Sequence, residues 1–242
     1  LPLLFGPDGK KLSKRHGDTS VSAYKDRGVL SEALFNYMCL LGWAPGNDLE
    51  IFNKKTAIEK FDLNNVLPNP AIFDTKKLLW MNGQYIRDIK DGEFKKLFIE
   101  SIQDSISREL FEEEINRLEK IKHAVQERLE TLNDINEQVR FLLDEPFEVN
   151  SKDWESVNTN EGQEYMKIVR NKFMSTNSFE LNEIEEIMRN ELEQLDIKPK
   201  IGFQITRVAV TGTKISPPLF ESIYALGKET TIARMAESIE EL

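Results

Sequence analysis

Helical periodicity dominates the placement of apolar residues over most of this chain. Beyond residue 91 these residues recur at the three- and four-residue spacing that lines one face of a helix. They form three stripes: Phe94, Leu97, Phe98 and Ile102; Leu118, Ile121, Val125 and Leu129; and Leu181, Ile184, Met188, Leu192 and Leu195. Because such stripes pack into cores, this part is predicted to be an assembly of helices whose apolar faces carry no chemistry.

Turn and capping residues predict shorter elements before residue 91. The turn Gly6-Pro7-Asp8-Gly9 lies between apolar and basic residues, which predicts a short β-hairpin leading into an exposed loop. A capping-box pattern at Thr56 to Glu59 marks one helix start. Three further helices are expected between a capping residue and a glycine: from Asp18, Thr19 or Ser20 to Gly28, from Ser31 to Gly42, and from Asp74 to Gly83.

Local signals near the C-terminus favour a strand followed by helices. Residues 203–213 are rich in Ile, Thr and Val, and propensity alone predicts a strand there. Ser216 precedes two prolines, as a helix N-cap does, and Gly227 would end the helix that follows. A last helix is expected over residues 232–242.

The formal net charge of −10 argues against a polyanionic partner, but the distribution of charge changes this picture. Cations without acids occupy residues 10–15 and again 197–220, whereas 109–119 and 180–196 are densely acidic. Two interpretations fit these blocks. Either they are solvated helix faces, or the protein grips RNA along one side and keeps its other faces acidic.

Cysteine and histidine usage excludes several kinds of site. The only cysteine, Cys39, lies in an apolar run, which indicates an inert buried thiol and excludes disulfides and cysteine-based metal sites. The only histidines are His16 and His123, so no zinc site is expected. Neither a membrane-length apolar run nor a signal-peptide pattern occurs, which predicts a cytoplasmic protein without a membrane span. Leu1 opens in what reads as mid-strand, which suggests a fragment.

The most informative candidate for a functional motif in this chain is the segment Lys11-Leu12-Ser13-Lys14-Arg15. Two lysines three residues apart on a loop can bring two ammonium groups to one polyphosphate, and the Ser13 hydroxyl can add a hydrogen bond. Such cations would stabilise charge on a departing pyrophosphate. Taken alone the pattern is weak, and a solvated basic loop fits it better. It is not a Walker loop, because the glycine spacing of that motif is absent.

Several motifs that follow one another in the order of a known family favour the phosphate-binding interpretation over a solvated basic loop. Residues 9–18 resemble the KMSKS loop of class I aminoacyl-tRNA synthetases in its bacterial glutamyl form, with Leu12 in place of the usual methionine or isoleucine. Further segments that resemble glutamyl-tRNA synthetases follow in order: Tyr24 with Gly28, 32–42, Phe73-Asp74, Lys77-Leu78, 80–86, Thr211-Gly212, Pro218-Leu219-Phe220-Glu221 and Leu226-Gly227-Lys228-Glu229. Residues 93–198 match mostly in their helical pattern.

This resemblance implies a mainly α fold in which a short β-hairpin carries the ATP loop. Four parts are expected: the end of a catalytic domain (1–17), a helical stem-contact domain (18–90), and two subdomains of a helical anticodon-binding cage (91–197 and 198–242). The resemblance also implies that residues 203–213 are largely helical. We follow it over propensity, because tertiary context commonly overrides propensity.

The resemblance also assigns roles to residues in the first two parts. Lys11 and Lys14 are implied to bind ATP phosphates, with Ser13 and Arg15 beside them and the Leu12 backbone near the adenine. Trp80 and Met81 are expected in the core. The candidates for RNA stem contact are Asn82, Gln84, Tyr85 and Arg87.

In the anticodon-binding part the carried-over residues are Arg128, Arg207, Ser216 and Leu219. Arginine suits this role because unpaired bases are read by hydrogen bonds to their edges and by stacking. Arg128 has no acid three or four residues away on its expected helix, which favours a free guanidinium. For Ser216 the alternative role is that of a helix cap.

Together these matches imply the tRNA-binding portion of a glutamate–tRNA ligase, an enzyme that joins glutamate to tRNA(Glu) with ATP and Mg²⁺. The sequence contains neither the histidine pair of the HIGH motif nor the glutamate pocket, so the chain alone is expected to be an inactive monomer that holds no cofactor stably and binds no metal. One alternative is an RNA-binding or scaffold module without a catalytic parent. Another, an unrelated nucleotide-binding enzyme, would need an acidic magnesium motif that the sequence lacks.

Overall fold

The computed structural model describes residues 3–6, 8–13, 20–144 and 146–240, and over these ranges the protein is mainly α-helical, as predicted. The helices are α1 (Val21–Asp26), α2 (Ser31–Leu40), α3 (Lys54–Lys60), α4 (Thr75–Arg87), α5 (Asp91–Ser105), α6 (Glu112–Gln126), α7 (Asp134–Val139), α8 (Ser151–Val157), α9 (Asn160–Ser175), α10 (Leu181–Gln194), α11 (Pro199–Thr211), α12 (Leu219–Leu226) and α13 (Lys228–Glu240). Short 3-10 turns occupy Leu63–Asn65 and Arg140–Leu142. Within the described ranges, no helix has the length and apolarity that crossing a bilayer requires.

The predicted hairpin is present at the start of the chain. Phe5 and Lys11 form an antiparallel bridge, and the Leu12 N–H donates to the Leu4 carbonyl at 2.8 Å. Strand β1 (Leu4–Phe5) also pairs in parallel with β2 (Ala71–Ile72). The sequence did not predict this second pairing, because strands of two residues carry no periodic signal.

Unit 1, which comprises Leu1–Ser101 and Gln126–Ile135, contains the packing of α2 on α4. In its core the rings of Tyr37 and Phe73 lie 5.1 Å apart, edge to face. The Tyr37 hydroxyl accepts the Asp74 N–H at 2.6 Å, and burial raises the pKa of Tyr37 to about 12. Leu12 packs against this core, so the hairpin is anchored by an apolar side chain.

Two of the predicted helix caps in unit 1 are confirmed. Ser20 accepts from the Ala23 N–H at the start of α1, and Asp74 accepts from the Lys76 and Lys77 N–H groups at the start of α4. Both carboxylate and hydroxyl oxygens satisfy N–H groups that the first helical turn leaves unpaired.

Two other predicted caps are wrong. Ser31 lies inside α2 and bonds its neighbour Glu32, while the extended Leu30 occupies the cap position. The cap of α3 is Asn53, which accepts from the Thr56 N–H at 2.9 Å, so the predicted capping box begins three residues too late. In each case a nearby residue with an extended backbone took the position.

Gly83 does not end α4, which continues to Arg87, so the predicted stop is wrong. The glycine serves close packing instead. A Cβ at this position would lie 2.8 Å from the carbonyl oxygen of Leu129, nearer than real Cβ atoms approach a backbone atom.

Unit 2, which comprises Ile102–Val125 and Asn136–Leu242, is centred on α9, against which α10, α11 and α13 pack. The α11 helix comes close at Gly202, where a Cβ would lie 2.7 Å from the ring of Tyr165. The Tyr165 hydroxyl donates to the Met188 carbonyl at 2.8 Å, so its polar atom is satisfied inside the core.

The apolar stripes predicted from the sequence are core residues in the two units. Most of their members have almost no exposed surface: Phe94, Phe98, Ile102, Leu118, Ile121, Val125, Leu129, Ile184, Met188 and Leu192. Leu97, Leu181 and Leu195 are half-buried at the margins of their stripes.

A buried carboxylate joins three segments of unit 2. Glu114 is fully buried, and both of its oxygens accept from the Arg108 guanidinium, at 2.6 and 2.8 Å. The backbone N–H groups of Phe111 and Asp144 donate to it at 2.8 and 2.7 Å. Four donors to one carboxylate compensate its loss of water.

The C-terminal helices correct two local predictions. Residues 203–211 continue α11 as a helix, so the strand that propensity favoured is wrong and the helix implied by the resemblance is confirmed. Gly212 ends α11 with φ +82°. Pro218, not Ser216, occupies the cap position of α12, which Gly227 ends as predicted. The last helix begins at Lys228, earlier than expected.

Candidate nucleic-acid interface

The hairpin presents part of the predicted ATP loop to solvent. The side chains of Lys11 and Ser13 are exposed, whereas Leu12 is half-buried on the core of unit 1. The Leu12 N–H is occupied by the Leu4 carbonyl, so its backbone has only the carbonyl to offer an adenine. Lys14 and Arg15, the other two residues predicted to bind ATP, lie outside the described residues.

Asn82 has a structural role in place of the predicted RNA contact. It is fully buried, and its Oδ1 accepts the Leu30 N–H at 2.8 Å. Its Nδ2 donates to the carbonyls of Glu130 at 2.7 Å and Gly28 at 3.3 Å. The side chain therefore joins α4 to two loops and has no surface to give to a ligand.

Tyr85 is also engaged within unit 1. Its hydroxyl lies 2.7 Å from the Phe52 carbonyl and 2.8 Å from Asn36 Oδ1. Burial raises its pKa above the usual value. Of the side chain, only the partly exposed ring is available to a partner.

The exposed face of α4 is formed by Trp80, Gln84 and Arg87. Trp80 is 45% exposed, so its predicted core position is wrong, while its neighbour Met81 is fully buried as expected. Adjacent helix positions differ by about a hundred degrees, and Trp80 faces away from the side of α4 that buries Met81 and Asn82. With its amide turned to satisfy both neighbours, Gln84 accepts from Trp80 Nε1 at 3.3 Å and from Arg87 Nη2 at 2.8 Å.

Arg128 lies in the turn that follows α6, not on the helix that the sequence predicted, and its side chain is exposed. The two residues that precede Arg128 hold the turn on α4. Arg87 donates to the Glu127 carbonyl at 3.1 Å, and the buried Gln126 donates to the Ile86 carbonyl at 2.9 Å. A well-anchored turn thus presents an exposed guanidinium.

Arg207, Ser216 and Leu219 lie together in unit 2. Arg207 Nη1 donates to the Ser216 hydroxyl and, at 2.6 Å, to the Pro217 carbonyl. Ser216 and Leu219 are almost fully buried, whereas Arg207 is half-buried. The hydroxyl of Ser216 therefore fixes the guanidinium and does not cap a helix.

A cleft of about 780 Å³ lies in unit 2. Ser216 forms part of its wall. The other lining residues are Glu137, Gln138, Arg140, Phe141, Leu143, Pro146, Phe147, Glu148, Asp153, Thr211, Thr213, Ile215 and Arg234. Sequence reasoning singled out none of these other residues as a functional residue.

Arg234 is the least expected of the cleft residues. Only 8% of it is exposed, and its Nη1 and Nη2 donate to the carbonyls of Val210 at 2.7 Å and Phe141 at 2.9 Å. Its guanidinium carbon lies 3.6 Å from the centre of the Phe147 ring. Loss of water, followed by the neighbouring Arg117, lowers the pKa of Arg234 to about 10. A signal existed, because Arg234 follows Thr231 and precedes Ser238 at helical spacing on the buried face of α13.

Comparison with known proteins places this geometry in a family. Residues 94–239 match the family described as an anticodon binding domain, and residues 1–80 match the catalytic domain of class I tRNA synthetases (E and Q). Glutamate–tRNA ligase 2 of Caldicellulosiruptor saccharolyticus is 33% identical over 99% of the chain. Glutamate–tRNA ligase 1 of Caldanaerobacter subterraneus subsp. tengcongensis is 36% identical over 98%. The chain belongs to the anticodon-binding-domain family, and along its length it is similar to glutamate–tRNA ligases.

The chain spans about half the length of each of these curated ligases. A crystal structure of a glutamate tRNA ligase from Elizabethkingia meningosepticum superposes with a TM-score of 0.81, at 26% identity, over 99% of this chain and 50% of that one. Arg128, Arg207 and the cleft lie within the segment that matches the anticodon-binding family. Lys11 falls within the catalytic-domain region.

Proposed function

We propose that this chain is the tRNA-binding portion of an enzyme that ligates glutamate to tRNA(Glu) with ATP. The observation that carries the proposal is the joining of Arg207 to Ser216, next to Leu219, within the region that matches an anticodon-binding domain. Three residues chosen as base contacts from the sequence thus occupy one locality. The proposed location is the cytoplasm, and the proposed state is a monomer.

The anticodon end of the tRNA is assigned to the region that matches the anticodon-binding family. Arg207 uses Nη1 to hold the loop at Ser216 and Pro217, and the guanidinium in this orientation is assigned to the edge of an unpaired base. Because Ser216 and Leu219 are buried, they support the reading surface by shaping this loop. Lys198 and Lys200 are exposed and supply the positive charge for phosphates.

The inner corner of the tRNA is assigned to the exposed face of α4. Gln84 and Arg87 remain candidates there, and Tyr85 contributes the edge of its ring. Asn82 is withdrawn from the contact set because it is buried. The division into parts at residues 17, 90 and 197 is kept as part of the proposal.

ATP with Mg²⁺ is assigned to the hairpin end. The exposed ammonium of Lys11 and hydroxyl of Ser13 suit a polyphosphate, and Lys14 and Arg15 continue the same basic segment. Mg²⁺ would arrive with the nucleotide and neutralise phosphate charge. Glutamate recognition is assigned to the part of the ligase beyond these residues.

A helical scaffold module without RNA binding is the rival function. The deciding experiment titrates glutamate tRNA against the 242-residue chain at several salt concentrations. Binding that weakens steadily with salt, with a slope set by a few phosphate contacts, supports the proposal. Affinity no higher than that of an unrelated acidic protein would favour the scaffold.

A further inference from the structure

The cleft in unit 2 contains the ring of Phe147, which packs against Arg234 and lies close to Gly212. Arg234 covers one face of Phe147 at 3.6 Å. The segment that follows Phe147 is tied to Gly212, whose carbonyl accepts the Asn150 N–H at 2.9 Å and where a Cβ would lie only 2.6 Å from the Glu148 carbonyl. Phe147 therefore lines the cleft with a surface that Arg234 does not cover.

Burying the Arg234 guanidinium against that ring costs desolvation free energy. Within the described residues it forms no ion pair at contact distance. Its charge is stabilised by two carbonyl oxygens, by the ring and by the longer-range attraction of Glu237 and Asp144. Burying a guanidinium without a carboxylate in direct contact lowers stability. An apolar side chain could fill the same space, so the arginine is explained by what it positions.

The loop at residues 212–216 presents an apolar side chain to the same cleft. Ile215 is 81% exposed although its loop is well ordered by hydrogen bonds. The Thr213 hydroxyl donates to the Ile215 carbonyl at 2.7 Å, and the Lys214 N–H donates to Asp153 at 2.9 Å. A solvent-exposed isoleucine on a hydrogen-bonded loop supplies a second apolar surface for a flat ligand.

The polar atoms of the cleft suit hydrogen-bond donors better than phosphates. Glu137, Glu148 and Asp153 place three carboxylates on the lining, against two cations at Arg140 and Arg234. The Oε1 atom of Gln138 is buried and accepts no hydrogen bond from the described residues. Carboxylates repel a phosphate, whereas acidic and amide oxygens accept from the amino group of a base.

We propose that Phe147 is the stacking surface for one unpaired anticodon-loop base that carries an exocyclic amino group, and that Arg234 is the positioning residue that holds the ring. This inference rests on the proposed function, since it requires that unit 2 binds the anticodon loop. It adds the place and the chemistry of a base: one ring face for stacking, Ile215 beside it, and Gln138 and the acids as acceptors.

The test uses the whole 242-residue chain with transcribed glutamate tRNA. In a matched set of tRNAs, one anticodon-loop nucleotide at a time is replaced by an abasic ribose, and dissociation constants are measured by fluorescence anisotropy. At one position the wild-type protein should lose affinity by about 5-fold to about 150-fold, the range expected for one base–aromatic stack. An analogue lacking the amino group at that position should bind about 5-fold or more weakly.

Variants separate stacking from folding. Phe147→Leu should bind the unmodified tRNA as weakly as it binds the abasic tRNA. Phe147→Trp should restore the difference in affinity between the two tRNAs. Arg234→Lys should reduce that difference relative to the wild type. The matched control is Phe111→Leu, because Phe111 also lies under an arginine, Arg108 at 4.5 Å, but is not part of the cleft. This control should leave the abasic penalty unchanged.

Three results would overturn the inference. One is that Phe147→Leu loses as much affinity as the wild type when the base is replaced by an abasic ribose. Another is that Phe111→Leu reduces this abasic penalty as much as Phe147→Leu does. The third is a salt slope that becomes shallower in Phe147→Leu, because that would assign the cleft to a phosphate. If the wild-type chain fails to bind tRNA at all, the proposed function fails with it, whereas binding with an unaltered penalty defeats the stacking site alone.

Discussion

Arg207 on α11 donates a hydrogen bond from Nη1 to the hydroxyl of Ser216, a residue nine positions later in the chain. The same nitrogen reaches the Pro217 carbonyl at 2.6 Å. One guanidinium edge is therefore committed to the protein, and the rest of the fork is held in a defined direction. Preorganised arginines of this kind lose little side-chain freedom when they bond a ligand.

Arg207→Ala is expected to reduce binding of glutamate tRNA by roughly 1 to 3 kcal/mol, with a smaller effect on tRNAs that differ at the contacted base. Lys200→Ala is the control, since an exposed lysine that meets phosphate should weaken all sequences alike and reduce the salt slope by about one unit. Titrations of cognate and single-base variant tRNAs measure both effects. An unchanged preference between the two RNAs in Arg207→Ala would leave this residue with the loop-holding role alone.

Arg128→Ala should lower discrimination between anticodon variants without lowering the stability of the fold, because the side chain is exposed. Arg128→Lys retains the charge but not the planar fork, so it should behave like the alanine variant if the contact is to a base. Competition binding with the two tRNAs gives the answer. Full rescue by lysine would point to a phosphate instead.

Glu114 should make stability depend on acid pH. The Arg108 hydrogen bonds, aided by the N–H groups of Asp144 and Phe111, lower its pKa from 4.5 to about 2. The folded state thus favours the carboxylate, and its stabilisation, about 3 kcal/mol, is complete above pH 4.5 and lost as pH falls towards 2. In urea denaturation, Glu114→Gln should be less stable at pH 7 and show a flatter profile below pH 4.5.

Glu113→Gln provides the matched comparison for that experiment. The Glu113 side chain is mostly exposed and lies 3.9 Å from Arg117. Removing its charge should change stability by less than about 1 kcal/mol. If both variants keep the wild-type acid profile, other carboxylates dominate acid unfolding.

Asn82→Ala should destabilise unit 1 by about 2 to 4 kcal/mol, because two buried carbonyls and one N–H lose their partner. Asn65→Ala, at an exposed position, should change stability by less than about 0.5 kcal/mol. Denaturation monitored by tryptophan fluorescence in a Trp154→Phe background, which leaves Trp80 and Trp43, follows this unit. A near-neutral Asn82→Ala would show that the buried network is dispensable.

The 242-residue chain alone is expected to give no glutamate-dependent exchange of pyrophosphate into ATP. Lys11 and Ser13 are proposed to form one wall of the nucleotide site, but the sequence contains no histidine pair of the HIGH type. Adding back the N-terminal half of a related ligase serves as the positive control of the assay. Measurable exchange by the chain alone would contradict the assignment of glutamate recognition to residues outside it.

The sequence predicted fold class and core well, because apolar periodicity reports directly on which helix face is buried. It failed where contacts between distant segments decide the outcome. Asn82 lies in a motif that resembles an RNA-contact region, yet its partners are Leu30 and Glu130, far away in sequence. Residues 203–211 have strand propensity, and their packing against α9 makes them helical.

The candidate site was predictable only in part for the same reason. The resemblance named Arg207 and Ser216 as candidates but did not predict the hydrogen bond between them. Phe147 and Arg234 were not among the candidates, because the lining of the cleft combines residues from 137 to 234 that no local pattern connects. Trp80 was assigned to the core since aromatic residues usually lie there, and the buried Met81 beside it took that position.

The hydrogen-bonded loop at residues 212–216 bears on how fast, and not only how tightly, an RNA would engage this surface. A loop already held by Asp153 and by its own threonines needs no slow rearrangement before docking. Association should then be a single step whose rate constant changes little among loop variants, while differences between RNAs are expressed in how long each complex lasts. Loosening the loop, as in Asp153→Ala, would give two steps, a rearrangement of the loop and then docking of the RNA.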